Sequence, residues 1–381
     1  MRIGIITLHR VLNYGSALQA YALQTYLSKT FGEEVEIIDY IYPNKSHPRK
    51  GSFYRKIKNF IRIEIRDRLL YRRGEKIFKF KLFYQKHLKL SKNSYDSITQ
   101  IENESFQYDL YVTGSDQVWN VKTLDNDPVF YCSFAPACAK RISFAASFSL
   151  NKLPEEYQSS VRDRLLKYSY IGIREKSGMD IIKSLSLPES IVCQNTCDPT
   201  LLLNQNDYDL LANESQIRIE GDYFLEYLLD YSFNAEPMAS SIINFVKKQT
   251  GLKLVTLNIK RNTKRDDQLI TGIGPNEFVW LIKHAKLVIT SSFHGTIFSI
   301  IYRRPFYTIV PDEGHPDRRL SDMLELLGLE NCCFKVKQNT NTVDMDFSNP
   351  FNYNSLERID NYIKESQSFL YKALYYNGEQ N

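Results

Sequence analysis

Residues 287–296 have the sequence Leu-Val-Ile-Thr-Ser-Ser-Phe-His-Gly-Thr, which predicts a buried strand that turns directly into a helix. Backbone amides at a helix N-terminus, two serine hydroxyls and one imidazole would converge at this turn, which favours an anion-binding site. His294 would be able to donate a proton there. An alternative of equal weight is that Ser292 caps the helix and His294 is a structural side chain.

The same alternation of strands and helices continues on both sides of this stretch and predicts an α/β protein. A first set of strands is expected at Ile3–Leu8, Val35–Tyr40, Leu110–Thr113 and Ile142–Ser147. A second set is expected at Tyr170–Arg174, Ile191–Cys193, Tyr223–Leu229, Leu254–Ile259, Leu287–Thr290 and Phe306–Val310. We therefore expect two Rossmann-like domains, residues 1–150 and 151–350, joined around residues 150–168. A helix in residues 351–381 would close the second domain or cross back onto the first.

The chain of 381 residues carries a net charge of +5 that is unevenly distributed. Residues 49–92 hold sixteen Lys and Arg against three Asp and Glu, a net charge of +13, which leaves −8 for the rest. This composition predicts a basic helical insert in the first domain that meets something anionic.

Composition also excludes several classes of protein. With 43% hydrophobic and 24% charged residues, the chain is neither disordered nor fibrous. No run of about 18 uncharged apolar residues would span a membrane. No basic-then-apolar leader precedes the first strand, and none of the six cysteines forms a C-x2-C pair, so we expect reduced thiols in a cytoplasmic protein.

Three further clusters follow predicted strands, where ligands of open α/β sheets bind. Arg174 lies where a buried strand emerges, and it would bind a carboxylate or phosphate or else pair with Glu175. Residues 114–120, Gly-Ser-Asp-Gln-Val-Trp-Asn, suit a sugar pocket, although a turn before a core Trp has the same pattern. Of the adjacent Arg318 and Arg319, at most one is expected to reach a ligand.

Several catalytic motifs are missing from the sequence. It has no G-x-G-x-x-G after the first strand, no G-x4-G-K-[ST], no G-x-S-x-G and no clustered metal ligands. We therefore expect neither a nicotinamide cofactor nor a metal, and chemistry that relies on arginines, amides and one His.

Six motifs in order carry a resemblance to a known family. They are Asn13-Tyr14-Gly15 with residues 18–24 (Leu-Gln-Ala-Tyr-Ala-Leu-Gln), residues 114–120, residues 142–147 (Ile-Ser-Phe-Ala-Ala-Ser), Arg174-Glu175-Lys176-Ser177, Asp198-Pro199-Thr200-Leu201 and Ser292-Phe293-His294-Gly295. From about residue 3 to residue 330 the chain resembles the polysaccharide pyruvyl transferase family. The resemblance implies two domains that face a cleft, as in GT-B glycosyltransferases.

The resemblance also implies a reaction, in which the enolpyruvyl unit of phosphoenolpyruvate is moved onto a sugar diol and phosphate is released. The product would be a pyruvate ketal in a cell-surface polysaccharide such as an exopolysaccharide or capsule. Phosphoenolpyruvate is a co-substrate, so no cofactor is expected. Better-studied family members have Arg-Leu before the His, where this chain has Ser292-Phe293. Arg318 or Arg319 would then supply the missing cation.

The resemblance and the clusters together give the expected site residues. Catalysis is assigned to His294 as the acid and Asp116 as a base or hydroxyl anchor. Donor binding is assigned to Arg174, Ser291, Ser292, Gly295, Arg318 and Arg319. Acceptor binding is assigned to Asn13, Gly15, Ser16, Ser115 and Trp119.

The basic insert suggests how an acceptor would be held. Its cations alternate with aromatic and apolar residues, which suits helices at the anionic inner face of the plasma membrane and an acceptor linked to a polyprenyl diphosphate. Helices whose apolar faces pack on the domain are an equal alternative. A glycosyltransferase that uses a nucleotide sugar is the second hypothesis for the activity. A nucleic-acid-binding protein ranks low, because the rest of the chain is acidic.

Overall fold

The computed structural model describes residues 1–42, 73–229, 233–257, 267–312, 315, 317–337 and 350–376. Its first sheet has seven parallel strands in the order β3-β2-β1-β4-β5-β6-β7. The strands are β1 (Arg2–Ile6), β2 (Glu34–Tyr40), β3 (Leu90–Tyr95), β4 (Leu110–Thr113), β5 (Lys140–Ala146), β6 (Tyr170–Ile173) and β7 (Val192–Asn195).

The second sheet has six parallel strands in the order β10-β9-β8-β11-β12-β13. They are β8 (Tyr223–Tyr227), β9 (Lys253–Leu257), β10 (Gln268–Ile270), β11 (Leu287–Thr290), β12 (Phe306–Val310) and β13 (Cys333–Lys335). Every residue of β8, β11 and β12 is buried, as expected for parallel strands covered by helices on both faces.

Twelve helices are present in the described ranges, in addition to short 3-10 turns. They are α1 (Tyr14–Phe31), α2 (Arg73–His87), α3 (Ile98–Glu102), α4 (Val121–Leu124), α5 (Glu155–Leu165), α6 (Lys176–Ser184), α7 (Gln205–Asn213), α8 (Met238–Thr250), α9 (Pro275–His284), α10 (Phe293–Ile301), α11 (Arg319–Leu327) and α12 (Tyr353–Tyr375). The expected strand-to-helix stretch is therefore β11 followed by α10.

The expected division of the strands between the two domains is wrong for β6 and β7. Both were placed in the second set, but β6 pairs with β5 and β7 pairs with β6 in the first sheet. The segment expected to join the domains contains α5, which is the crossover between two parallel strands of one sheet. The first sheet therefore extends to Asn195 instead of ending near residue 150.

The C-terminal helix α12 returns to the first sheet. Ser366 Oγ accepts a hydrogen bond from the Cys197 amide at 2.9 Å, just after β7. The Phe369 ring packs on Tyr170 of β6, with 5.8 Å between the ring centroids. Of the two positions expected for this helix, these contacts agree with the one in which it crosses back onto the first domain.

The described part of the basic insert is α2, which packs on both domains. Its Phe80 and Phe83 are buried in the core. Lys79 Nζ lies 2.9 Å from Glu277 on α9, and Lys86 Nζ lies 2.7 Å from Glu214 just after α7. This half of the insert thus follows the packing alternative, while residues 49–72 lie outside the described residues.

Two simple properties complete the description. The six cysteines are all unpaired, and Cys132, Cys197 and Cys332 are buried. No helix within the described ranges is long and apolar enough to cross a membrane.

Candidate active site

A cavity of about 520 Å³ is lined by residues from both domains, at the carboxyl ends of their parallel strands. The first domain contributes Asn13, Ser16, Asp116 and Gln117 to its wall. The second contributes Ser291, Ser292, Phe293, His294, His315, Asp317 and Arg319. The cleft that the sequence leads us to expect is therefore present, with charged groups from both sides.

His294 lies in the first turn of α10, at the point where β11 ends. Ser292 is the N-cap residue of this helix, and its Oγ accepts a hydrogen bond from the Gly295 amide at 3.2 Å. The imidazole reaches the cavity, yet its Nε2 is fully buried and lies 3.4 Å from Asp198 Oδ2. Both readings of the sequence are thus partly right, because Ser292 caps the helix while His294 faces the cavity.

Gly15 brings the first domain against this imidazole. It lies in the first turn of α1, where Asn13 Oδ1 caps the helix by accepting from the Gly15 amide at 2.9 Å. A Cβ atom at position 15 would be only 1.9 Å from His294 Nδ1. The close approach of a helix backbone to the ring explains why a glycine is needed here.

Arg174 and Asp198 form a buried ion pair beneath the cavity. Arg174 Nη1 donates to Asp198 Oδ2 at 2.8 Å, and Nη2 lies 3.5 Å from Asp116 Oδ1. Burial alone would raise the pKa of Asp198, but His294 and Arg174 beside it hold that pKa below its ordinary value. Arg174 thus shares its charge between two carboxylates.

Asp116 is the carboxylate that lines the cavity. Ser16 Oγ donates to its Oδ2 at 2.5 Å, and the Gln117 amide donates to its Oδ1 at 2.9 Å. Burial would raise its pKa, but Arg174 and then His294 lower it below its ordinary value. Asp116 is therefore ionised near neutral pH and can accept a proton from a hydroxyl group.

The two adjacent arginines face different ways. Arg319 lines the cavity, and its guanidinium is held by Asp317 through bonds of 2.8 and 2.6 Å. With the Gln117 amide oriented to satisfy both groups, Gln117 Oε1 accepts from Arg319 at 2.8 Å. Arg318 does not line this cavity, its side chain is 61% exposed, and it pairs with Asp322. Of these two arginines, Arg319 is the one placed to meet a ligand in the cavity.

The Phe293 ring lies close to two guanidiniums, those of Arg174 and Arg319. The Arg174 guanidinium carbon is 4.6 Å from the ring centroid, and that of Arg319 is 5.9 Å away. Phe293 lines the cavity, whereas Arg174 does not. The expectation that Arg174 itself contacts a donor is therefore not met in this arrangement, because the Phe293 ring covers its face and Arg174 does not reach the cavity wall.

Four other expected site residues lie outside the cavity lining, and one of them is Gly15, which instead packs against His294. Trp119 is a core residue: its ring stacks on Tyr131 and its Nε1 donates to the Phe130 carbonyl at 3.1 Å. The prediction that Trp119 contacts an acceptor is therefore wrong. Ser115 is fully buried and donates to the Ala145 carbonyl, and the amide of Gly295 is used by the helix cap.

The structure adds site residues to which the sequence led us to assign no role. Asp198 follows β7, and its place after a strand was the available signal. Gln117 and Asp317 belong to clusters that were recognised, but nothing in the sequence shows that they meet Arg319. Within the described residues, no group of three or more His, Cys, Asp or Glu side chains is arranged to hold a metal ion.

Comparisons with known proteins bear on the family and the fold. A sequence model described as polysaccharide pyruvyl transferase matches residues 13–313. No curated protein matches the chain in sequence.

Solved structures resemble the chain in fold at low sequence identity. A putative UDP-N-acetylglucosamine 2-epimerase from Listeria monocytogenes has a TM-score of 0.50 and 9% identity, over 98% of this chain and 90% of its own. UDP-GlcNAc 2-epimerase from Methanocaldococcus jannaschii, in complex with UDP-GlcNAc and UDP, has a TM-score of 0.48 and 14% identity, over 96% and 100%. Spinosyn forosaminyltransferase has a TM-score of 0.44 and 12% identity, over 98% and 95%. The Listeria structure and the two parallel sheets confirm the expected GT-B-like fold of two Rossmann-like domains.

Proposed function

The chain belongs to the polysaccharide pyruvyl transferase family, and we propose that it transfers the enolpyruvyl unit of phosphoenolpyruvate to a sugar diol. The products are a cyclic pyruvate ketal and inorganic phosphate. One observation carries the proposal: an imidazole, an ionised carboxylate and a guanidinium line the same cavity, as His294, Asp116 and Arg319. These are an acid, a base and an anion clamp, the three functions that the reaction needs.

The first step is protonation of the methylene carbon of phosphoenolpyruvate by His294. The electron pair of the double bond forms the new C–H bond and leaves an oxocarbenium-like centre, which a sugar hydroxyl attacks. Asp116 accepts the proton of that hydroxyl, and Ser16 keeps the carboxylate in place. Positioned acid and base groups of this kind contribute about 10²–10⁴-fold to a rate.

In the second step the other sugar hydroxyl displaces phosphate and closes the ketal. Two hydroxyl protons are released in the whole reaction: one replaces the proton given by His294, and the other leaves with phosphate. Arg319 neutralises the departing phosphate, because among the described residues its guanidinium lies on the cavity wall. It takes the place of the arginine that better-studied family members have where this chain has Ser292. Asp317 fixes the guanidinium by a two-point contact.

The proposal is tested with purified protein, phosphoenolpyruvate and a panel of lipid-linked sugars. We expect a mass gain of one pyruvyl unit on the acceptor and release of one phosphate for each transfer. His294→Asn serves as the matched control, since it keeps the size of the side chain and removes the acid. Stabilisation by a nucleoside diphosphate, together with none by phosphoenolpyruvate, would instead indicate a nucleotide-sugar glycosyltransferase.

We propose that the acceptor is presented at an anionic membrane surface near the basic insert. The outward face of α2 exposes Ile77, Phe78 and Leu82, with Phe78 59% exposed, beside the exposed Lys81. Apolar side chains flanked by cations suit an anionic lipid interface. Flotation with anionic liposomes should show binding that weakens with salt and with Phe78→Ser. Leu210→Ser, at a 61% exposed residue of α7, is the control and should still float. Absence of salt-sensitive binding would contradict this part of the proposal.

A further inference from the structure

We infer that Asp198 is a positioning residue for His294: it holds the proton on Nε2, so that Nδ1 is the nitrogen that gives its proton to the donor. This inference rests on the proposed function only for the identity of the proton acceptor. The arrangement of the imidazole itself is argued from the structure and can be measured without any substrate.

The two ring nitrogens of His294 have different surroundings. Nε2 is fully buried, has no hydrogen bond within normal distance, and lies 3.4 Å from Asp198 Oδ2. The residue nevertheless lines the cavity. Nδ1 lies beside the Gly15 backbone and, unlike Nε2, is not both fully buried and unpartnered, so we take it as the nitrogen that meets a ligand.

The Asp198 carboxylate is itself fixed on both oxygens. Its Oδ1 accepts from the Thr200 amide at 3.1 Å and from Thr200 Oγ1 at 2.7 Å. Its Oδ2 accepts from Arg174 at 2.8 Å, and Ser115 Oγ lies 3.5 Å away. A carboxylate held at four points is suited to orient an imidazole, as the third group of a catalytic triad does.

Several charged side chains lie around the ring. Asp198 and Asp116 both interact with His294, and Arg174 lies between the two carboxylates. Arg319 also interacts with Asp116, and its guanidinium carbon lies 5.9 Å from the centroid of the Phe293 ring. After Nδ1 gives up its proton, the neutral ring keeps the Nε2 proton that faces Asp198.

The parts of this arrangement come from different domains. His294 belongs to the second sheet, whereas Asp198, Arg174, Asp116 and Gly15 all lie at the first. The acid is therefore complete only when the second domain is docked on the first.

The first test is nitrogen NMR of the full chain labelled with ¹⁵N-histidine, with the His294 signals assigned from His294→Gln. At a pH where the ring is neutral, we expect the proton on Nε2 and a bare Nδ1. In Asp198→Asn the titration of His294 should move to lower pH, because the negative charge that stabilises the imidazolium is gone. A neutral ring with its proton on Nδ1, or an unchanged titration in Asp198→Asn, would overturn the inference.

The second test is the pH dependence of transfer. In Asp198→Asn, kcat should fall by about 10²-fold or more, since a misplaced acid loses most of its contribution. The pH above which activity declines should also move downward. Thr200→Val is the control: it removes a hydroxyl bond to Oδ1 but keeps the charge, so its pH profile should stay where it is. If NMR shows the expected tautomer and no transfer is found, the proposed function fails while the positioning role stands.

Discussion

Gly15 of the first domain lies so close to His294 of the second that a Cβ atom at position 15 would be 1.9 Å from Nδ1 of the imidazole. Gly15 is a helical residue with an ordinary backbone conformation, so steric contact with the ring, and not a turn, requires the glycine. The acid is thus held between the backbone of one domain and the helix N-terminus of the other. Any side chain at position 15 must push the ring or the domain away.

We predict that Gly15→Ala abolishes most of the activity. The added methyl group cannot fit unless the imidazole moves, and a displacement of about 1 Å at a catalytic group costs about 10²-fold in rate. Gly74→Ala is the matched control, because Gly74 lies in α2 with no atom within 4 Å of an added Cβ. It should keep full activity and equal or higher stability. Steady-state transfer rates and melting temperatures measure both effects, and equal rates for the two variants would contradict the contact.

We predict that Arg319 and Arg318 differ sharply in their effect on donor use. Arg319→Ala should lower kcat/KM for phosphoenolpyruvate by about 10–100-fold, the value of a lost charge-assisted hydrogen bond to an anion. Arg319→Lys should restore only part of it, because an ammonium lacks the planar fork. Arg318→Ala should change kcat/KM by less than about twofold, since the Arg318 side chain is exposed, pairs with Asp322 and does not line the cavity. A larger loss of kcat/KM in Arg318→Ala than in Arg319→Ala would show that Arg318 is the cation that binds the donor.

Much of this site could be predicted from the sequence, because one rule applies to both sheets. Ligands of parallel sheets bind beyond the carboxyl ends of the strands, and this rule selected His294 and Asp116 correctly as cavity residues. Adjacent helical residues point in different directions, which limited the two arginines to one inward side chain. These inferences succeed since they depend on residues close together in the chain.

Other features depend on contacts between distant residues and left no local signal. The strands β6 and β7 have four residues each, and so short a pattern does not show which sheet a strand joins. Asp198 was recognised within a motif, but its role depends on Arg174 and His294, which come from other parts of the chain. A Trp that follows a polar turn has the same local sequence pattern whether its ring lines a pocket or packs in a core, so the pattern could not place Trp119. Tertiary packing decided each of these cases.

We predict that Trp119 affects stability and not acceptor binding. Trp119→Phe removes the hydrogen bond to the Phe130 carbonyl and leaves part of the ring's volume empty, which should cost about 1–3 kcal/mol of unfolding free energy. The KM for the acceptor should not change. Ser16→Ala is the contrasting variant, since it removes the bond to Asp116 in the cavity and should lower kcat with little loss of stability. A raised acceptor KM in Trp119→Phe would return this residue to the binding site.

We predict that Asp39, a buried carboxylate far from His294, makes the first domain sensitive to low pH. Asp39, which is 2% exposed, accepts hydrogen bonds from His9 Nε2 at 2.9 Å and Arg10 Nε at 2.7 Å, and also from Ser94. Burial would raise its pKa, but these donors lower it below the ordinary value for Asp.

A lowered folded-state pKa stabilises the protein fully above the unfolded pKa of about 3.9 and progressively less as the pH falls below it. At pH 7, Asp39→Asn should reduce the unfolding free energy of the first domain by about 3–5 kcal/mol, because it leaves Arg10 and His9 without their anion. The variant should also lose less stability than the parent between pH 5 and pH 3.

Urea unfolding followed by Trp119 fluorescence in a Trp280→Phe background measures both quantities. Glu34→Gln, which affects a carboxylate paired with Lys89 in solvent, should leave the acid dependence nearly unchanged. Equal acid dependence in Asp39→Asn and the parent would show that other carboxylates control the acid sensitivity.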